Sequence, residues 1–460
     1  MRVPLRYLLL PLLATSAAGL LAVRLRSAPD PPPRPVPPER RPAALPYAPA
    51  GSRPDILLLT VDTLRQDHVG AYGYDRPTTP FVDALAQRGT RYTAAWSTSS
   101  WTVPAMASLL SGEWPGVHGL HQAGPRTQDV LHPALPSLPE TLRALGYRTW
   151  AVTANGHLDA RFGFARGFDR YADRGFSLHE DVRPVLLDFA AELQEGPPFF
   201  LWVHLFDPHG PYLRRPLFPD LAPDAGRRVF QEHDLIAAHA EGEVPPAMLA
   251  EVVAAYDSEI RLDDDLLAEL FVALPRARDA FTVFTADHGE GFGEHGSFGH
   301  ARTLYEELVR VPLVVVDPRA SGPTVVEAPV SLIDVFPTLV AAAGGPIDPA
   351  LPGVDLTADL TPERPVFLDV RRHDVLEGVV HDGWKLIRHV ESPGAPMLFH
   401  LDSDRAERQD LASTAPAVVT RLERLLDDHV RRQQPVSAPR RVETTEERAA
   451  ELEALGYAEP

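Results

Sequence analysis

Asp62, Thr102, Asp287 and His288 are the residues of this chain whose types could do chemistry together. They lie in three separated pieces: Val61-Asp62-Thr63-Leu64-Arg65, Trp101-Thr102-Val103-Pro104-Ala105 and Ala286-Asp287-His288-Gly289-Glu290. Two carboxylates, an imidazole and an ionised hydroxyl make a four-ligand site for a divalent cation. Such a cation could lower the pKa of the Thr102 hydroxyl and turn a poor nucleophile into a usable one for cleaving an ester. Each residue also has a plainer reading. A single Asp after a strand is commonly a turn residue. Thr102 stands just ahead of Val103-Pro104, a helix start, and could serve only as its cap. The same position would suit a phosphoryl or sulfuryl oxygen, because a helix N-terminus presents free N–H groups and the positive end of its dipole.

Further candidates surround these four. His209, in HLFDPHGPY, could act as a base when neutral, or protonate a leaving oxygen or bind an anion when charged. His295 and His300 follow closely in the Gly-rich DHGEGFGEHGSFGH. Arg65 could neutralise an anion or brace Asp62, and Arg302 could contact substrate or be a surface arginine. His204 sits inside an apolar run and reads as structural.

The elements that must position these residues are legible as alternating segments. DILLLT precedes Asp62 and AFTVFT precedes Ala286, and both read as buried strands. Strands are expected at Asp55–Thr60, Thr149–Thr153, Phe199–His204, Ala280–Thr285 and Val311–Val316. Helices are expected at Thr79–Arg88, Pro104–Leu110, Leu138–Leu145, Val182–Leu193, Met248–Leu270 and Leu332–Ala343. This alternation predicts an α/β fold with a large, mostly parallel sheet flanked by helices, whose ligands sit beyond the C-terminal ends of strands. Past Thr361, VFLDV, EGVVHDGWKLIRH and MLFHLDSD followed by a helix over Pro416–His429 predict a small C-terminal α+β subdomain. The expected organisation is a targeting segment at 1–26, a Pro-rich linker at 27–54, a catalytic domain at 55–360, the subdomain at 361–432 and a polar tail at 433–460.

Composition narrows the partners. The 460 residues carry a net charge of −19, which argues against nucleic acid, while a local field still permits an anionic substrate. With 0 Cys there is no disulfide, no cysteine-ligated zinc and no thiol nucleophile. Arg2 and Arg6, the apolar run Tyr7–Val23, then Arg24 and Arg26 predict a signal peptide or membrane anchor, and hence an extracytoplasmic location, periplasmic or cell-surface. If retained, the segment would tether the domain to the membrane through the extended PDPPPRPVPPERRP.

The chain resembles the sulfatase-like branch of the alkaline phosphatase superfamily. The resemblance rests on VDTLRQDHVGAYGYDRPTTPFVDALAQRGTRY, TVPAMASLLSGEWPGVHG, HLFDPHGPY, ADHGEGFGEHGSFGHARTLYEELVRVPLVV, WKLIRH with LFHLDSDRAERQDLA, and the closing LEALGY, in family order over most of the chain after the linker. It implies an alkaline-phosphatase-like α/β sandwich, a divalent metal (Mn, Mg, Ca or Zn) and hydrolysis or transfer of phosphate or sulfate esters. It puts Asp62 at the first metal aspartate, Thr102 at the nucleophile, Asp287 and His288 at the late metal pair, His209 at the substrate-side histidine and His300 near a later basic group. The family's sulfatases make formylglycine from Cys or Ser in a Cys/Ser-x-Pro-x-Arg pattern. Here T-V-P-A-M stands there, with Met106 in place of the arginine, so no formylglycine is expected. Thr63 also replaces the usual second aspartate. The resemblance therefore turns toward phosphodiesterase and phosphoglycerol- or phosphoethanolamine-transferase relatives, which use a threonine directly. The alternatives are a sulfatase proper and a catalytically inactive, membrane-tethered binding protein.

Overall fold

The computed structural model describes residues 53–450, apart from 123–126, 216, 219–220, 222–228, 231, 241, 243, 392–393, 437–439 and 447–448. The targeting segment, nearly all of the linker and the closing LEALGY lie outside the described residues.

Eight strands form the main sheet: β1 (Ile56–Val61), β2 (Thr90–Tyr92), β3 (Arg148–Thr153), β4 (Arg170–Asp173), β5 (Phe199–Leu205), β6 (Phe281–Ala286), β7 (Leu313–Val316) and β8 (Thr324–Val326). Their order is β8-β2-β7-β6-β1-β5-β3-β4. The pairings β6–β1, β1–β5, β5–β3, β3–β4 and β8–β2 are parallel, and only β7 runs against the rest. The centre of the sheet is made of the runs that the hydrophobic pattern singles out. ILLLTV, FFLWVHL and FTVFTA are buried at every residue, as strands covered on both faces must be. The short strands β2, β4 and β8 lie toward the edges and are more polar, so periodicity gave no warning of them.

Two groups of helices cover the sheet. In one, α1 (Pro80–Ala86) and α4 (His179–Glu192) pack on the long α5 (Pro246–Ala273). In the other, α2 (Thr102–Ser111), α3 (Leu138–Ala144) and α6 (Val335–Ala342) pack together. All ten residues of α2 are buried, and it stops at Gly112, whose φ of 72° is the left-handed cap that glycine supplies without strain.

A second, antiparallel sheet follows: β9 (Val366–Arg371), β10 (Val375–His381), β11 (Trp384–His389) and β12 (Met397–His400). Helix α7 (Pro416–Arg432) lays Leu422 and Leu426 on Val379, Leu386 and Leu398 of this sheet, closing a small core of its own. The tail holds more than a polar coil: Arg440–Glu443 pairs antiparallel with Thr127–Val130.

Candidate active site

The strands β1, β3, β5 and β6 all run the same way, so their C-terminal ends share one edge. Asp62, Asn155, His204, Asp287 and His288 come from that edge. Asp62 is fixed by its own backbone, whose N–H donates to the Leu205 carbonyl (2.9 Å). Thr63 then adopts a φ of 56°, a left-handed backbone that a β-branched residue takes only under constraint. The constraint is visible. Tyr256 from α5 donates to the Thr63 carbonyl (2.7 Å) and accepts from the Arg65 N–H (2.9 Å), while the Thr63 N–H reaches Asp287 Oδ1 (3.2 Å). The turn thus aims backbone at the second carboxylate.

Asp62, Asp287 and His288 are each fully buried, and one ligand atom from each lies within 4.8 Å of the others. Asp62 Oδ1 and Asp287 Oδ2 have no hydrogen-bond partner. Buried carboxylate oxygens left unpaired are costly unless something positive meets them, so this donor set fits a divalent cation. The electrostatics agree. Burial alone would raise both acids. The His204 hydrogen bond and the charges of His209, His204 and His288 nevertheless hold Asp62 below its ordinary value. Burial and then the Asp62 charge push Asp287 up to about 6. Two acids this close cannot both ionise cheaply without a cation between them.

Thr102 is the first residue of α2 rather than its cap, and the preceding Trp101 is extended. Its hydroxyl lies 3.5 Å from Asp62 Oδ2, 3.4 Å from His288 Nε2 and 3.2 Å from Asn155 Nδ2. Asn155 also donates to Asp62 Oδ2 (2.5 Å), so one amide holds ligand and hydroxyl together. Sequence reading missed Asn155. The available signal was its place directly beyond the strand-like Thr149–Thr153. His204 was read as structural, yet its Nε2 is 3.2 Å from Asp62 Oδ2 and its Nδ1 is 2.8 Å from Thr60 Oγ1, which in turn accepts from Trp202 Nε1 (3.0 Å). It supports the first carboxylate from the end of β5.

His209 and His300 join the cluster. Their ring centroids are 4.8 Å apart, His300 is 4.6 Å from His288, and His209 stacks on Phe206 at 4.4 Å. His209 Nδ1 donates to the Gly210 carbonyl (2.6 Å), and His300 Nδ1 is 3.1 Å from Glu290 Oε1. Burial, and then the His300 charge, lower His209 to about 4. Burial followed by His288 lowers His300.

The other candidates sit differently. Arg65 gives its guanidinium to Asp67 (2.9 and 2.8 Å), to Glu294 and to the Glu290 carbonyl (3.1 Å). His295 stacks on Tyr305 at 3.6 Å and pairs with Glu307 (2.7 Å), an arrangement that braces the Gly-rich loop. Arg302 is half-buried and its charge is felt at His300.

A family model described as Sulfatase matches residues 54–345. The chain is similar to the uncharacterized sulfatase YidJ of Escherichia coli K12, at 24% identity over 378 residues, which span 70% of this chain and 74% of that protein. It is also similar to a Delta 4,5-hexuronate-2-O-sulfatase of Bacteroides thetaiotaomicron, at 25% identity over 456 residues, 84% of this chain and 90% of that one. Among solved structures, the phosphonate monoester hydrolase of Agrobacterium radiobacter shares the fold with a TM-score of 0.65 at 21% identity, over 82% of this chain and 96% of that chain.

Proposed function

This chain belongs to the sulfatase family, and from that premise we propose that it is a metal-dependent ester hydrolase or transferase that uses the Thr102 hydroxyl directly, without formylglycine, on phosphate esters ahead of sulfate esters. The observation that carries this reading is the position of the Thr102 hydroxyl, within 3.5 Å of Asp62, His288 and Asn155 at the start of a buried helix. Asp62, Asp287 and His288 would hold the cation, for which Mn, Mg, Ca and Zn all suit two carboxylates and an imidazole. When bound, the cation supplies a lowered hydroxyl pKa and a polarised ester oxygen.

The chain's own residues do the rest. Asn155 keeps the Thr102 oxygen in line. The Thr102 hydroxyl releases its proton to solvent, its oxygen attacks the phosphorus, a bond forms between them, and the bond from phosphorus to the leaving alcohol breaks. His300 or His209, charged once the anionic substrate is beside it, gives a proton to the departing oxygen. Water or an acceptor alcohol, giving its proton to the same histidine, then displaces Thr102 and takes the phosphoryl group, and the Thr102 oxygen regains its proton from solvent. We also infer that the domain works outside the cytoplasm, exported or anchored by Tyr7–Val23 with its flanking arginines. Recovery of the full chain in the cytosolic fraction of cells expressing it would remove that part of the proposal.

The test is turnover of an aryl phosphate diester, a phosphate monoester and a sulfate ester with each cation supplied, beside Thr102→Ala. Diester cleavage that the substitution abolishes, by about a thousandfold or more as for a lost nucleophile, is expected. Sulfate-ester cleavage that exceeds it would mark a sulfatase proper.

A further inference from the structure

Among the described residues three arginines are buried, Arg65, Arg214 and Arg215, each no more than 7% exposed. Two of them are matched with acids. Arg65 pairs with Asp67 and Glu294, and Arg215 with Asp207 (2.9 Å), Glu180 (2.9 Å) and Glu259 (3.5 Å). Arg214 has neither a hydrogen bond nor an ion pair among the described residues, and its Nε is enclosed without a partner. A guanidinium cannot escape burial by losing its proton, so a buried one without an acid is costly to the fold. The chain has acids to spare, 63 Asp and Glu against 44 Lys and Arg, yet none is set against Arg214.

The backbone fixes the side on which Arg214 stands. It follows the short strand Tyr212–Leu213. The Leu213 and Arg215 amides both donate to α5, to Glu259 Oε2 (2.9 Å) and Ser258 Oγ (3.0 Å), so the chain stays extended through Arg214. In extended chain alternate side chains share a face. Leu213 and Arg215 take one face, on which Arg215 reaches Asp207. Tyr212 and Arg214 take the other. That face looks to the candidate active site. The Tyr212 ring packs at 5.7 Å on Phe292, and the ribbon partner of Gly291–Phe292 is Phe298–Gly299, which runs straight into His300. A Cβ built on Gly210 would stand 3.5 Å from the tip of the Tyr212 ring, and it is the Gly210 carbonyl that receives His209 (2.6 Å). Arg214 is the next residue on this face, about 7 Å further along the strand.

We propose that Arg214 is a specificity residue that receives a second oxyanion, a carboxylate, sulfate or phosphate carried on the alcohol portion of the substrate. The cation, His209 and His300 take the reacting ester, and Arg214 meets a group one side chain beyond it. The substrate class is then an ester that carries a further anionic group. This rests on the reading of Thr102 as the reacting centre, since that reading decides which end of the ligand meets Arg214. Arginine suits the task because its planar fork pairs bidentately with such oxyanions.

The experiment is equilibrium binding by calorimetry to the full-length protein with Mn²⁺ supplied. Methylphosphonate is compared with a series of ω-carboxyalkylphosphonates on wild type and R214Q. At least one carboxylated phosphonate should bind wild type about tenfold tighter than methylphosphonate, the worth of one charge-assisted pair. That ratio should fall toward one in R214Q. A wild-type ratio near one across the series, or a ratio that survives the substitution even if both affinities fall together, overturns the proposal. Thermal melting of the two proteins without phosphonate is the second measurement. R214Q should melt at or above wild type, because it removes a buried charge that the fold leaves unmatched. A clearly lower melting temperature would mean that the fold itself satisfies Arg214, and would overturn the proposal as well. Discrimination that R214Q abolishes while no ester is turned over would retire the hydrolase reading and leave the anion subsite standing. Thr102-dependent turnover without discrimination would do the reverse.

Discussion

Asn155 donates to both Asp62 Oδ2 and Thr102 Oγ1, so replacing it removes one group from two jobs. Asn155→Ala should lower kcat by about a hundredfold or more, the usual cost of a lost preorganised donor, with a smaller change in KM. Steady-state kinetics on the preferred ester would show it, and an unchanged kcat would mean that the amide only packs. His204 acts one step further back. Because it orients Asp62 through the Trp202–Thr60 chain, His204→Gln should weaken cation affinity about ten- to a hundredfold, as loss of an outer hydrogen-bond partner usually does. Metal titration against a fluorescent chelator reads this independently of turnover. The legibility of these residues in the sequence follows the same divide. Asp62, Asp287 and His288 stand out as candidate ligands in the sequence because each follows an apolar run. Asn155 and His204 were passed over because an amide and an imidazole at a strand end look like ordinary packing until the neighbouring strand is known.

At the scale of elements, the site depends on a loop with no spare room. A Cβ at Gly289 would meet the Glu307 carbonyl oxygen at 1.9 Å, and the Gly289 N–H is itself spent on the Leu308 carbonyl (2.8 Å). Gly289→Ala must therefore push the Asp287–Glu290 turn away from the short helix Glu306–Val309. The expected cost is about 1–3 kcal/mol of stability, as for other overpacked sites, together with a larger loss of cation affinity because His288 moves with the turn. Urea unfolding with and without added cation separates the two, and a variant with wild-type cation affinity would show that the turn yields elsewhere. Helix α2 makes a related point. Its start at Thr102, two residues earlier than the apolar pattern suggests, turns a side chain that could have been a cap into one aimed at the carboxylates.

At the scale of the whole molecule, the C-terminal sheet is held to the main body by a buried ionic knot. Lys385 of β11 lies 3.2 Å from Glu306 and 3.0 Å from Glu407, and Glu306 also receives Arg310 (2.7 Å) and Trp96 Nε1 (2.9 Å). One lysine cannot neutralise two acids. Despite burial, Lys385 and Arg310 hold Glu306 down to about 2, whereas burial lifts Glu407 to about 7 even with Lys385 beside it. A carboxyl group whose folded pKa is depressed stabilises the fold above its unfolded value and loses that contribution as pH falls toward the folded one. Glu306→Gln should accordingly cost about 3 kcal/mol near neutral pH, typical of breaking a buried pair, and the gap to wild type should narrow as pH drops from about 4.5 toward 2. Chemical denaturation of both proteins across that range would check it, and a gap independent of pH would assign the loss to packing.

By itself the sequence determined that this is an α/β protein with a buried, mostly parallel sheet, because unbroken apolar runs leave few other ways to hide them. It also singled out the acids, imidazoles and hydroxyl on which the proposed chemistry draws, because their types and the strand ends before them are local facts. Only the tertiary structure decided which of them meet. Strand order brings the ends of β1, β3, β5 and β6 to one edge, and neither that order nor the direction of β7 is written in any single run. The same long-range packing spent Arg65 on Asp67 and Glu294, drew His204 into the site, and brought Arg372 from a different sheet onto Trp101. Contacts between residues hundreds of positions apart depend on how whole elements stack, and a local pattern carries no record of that.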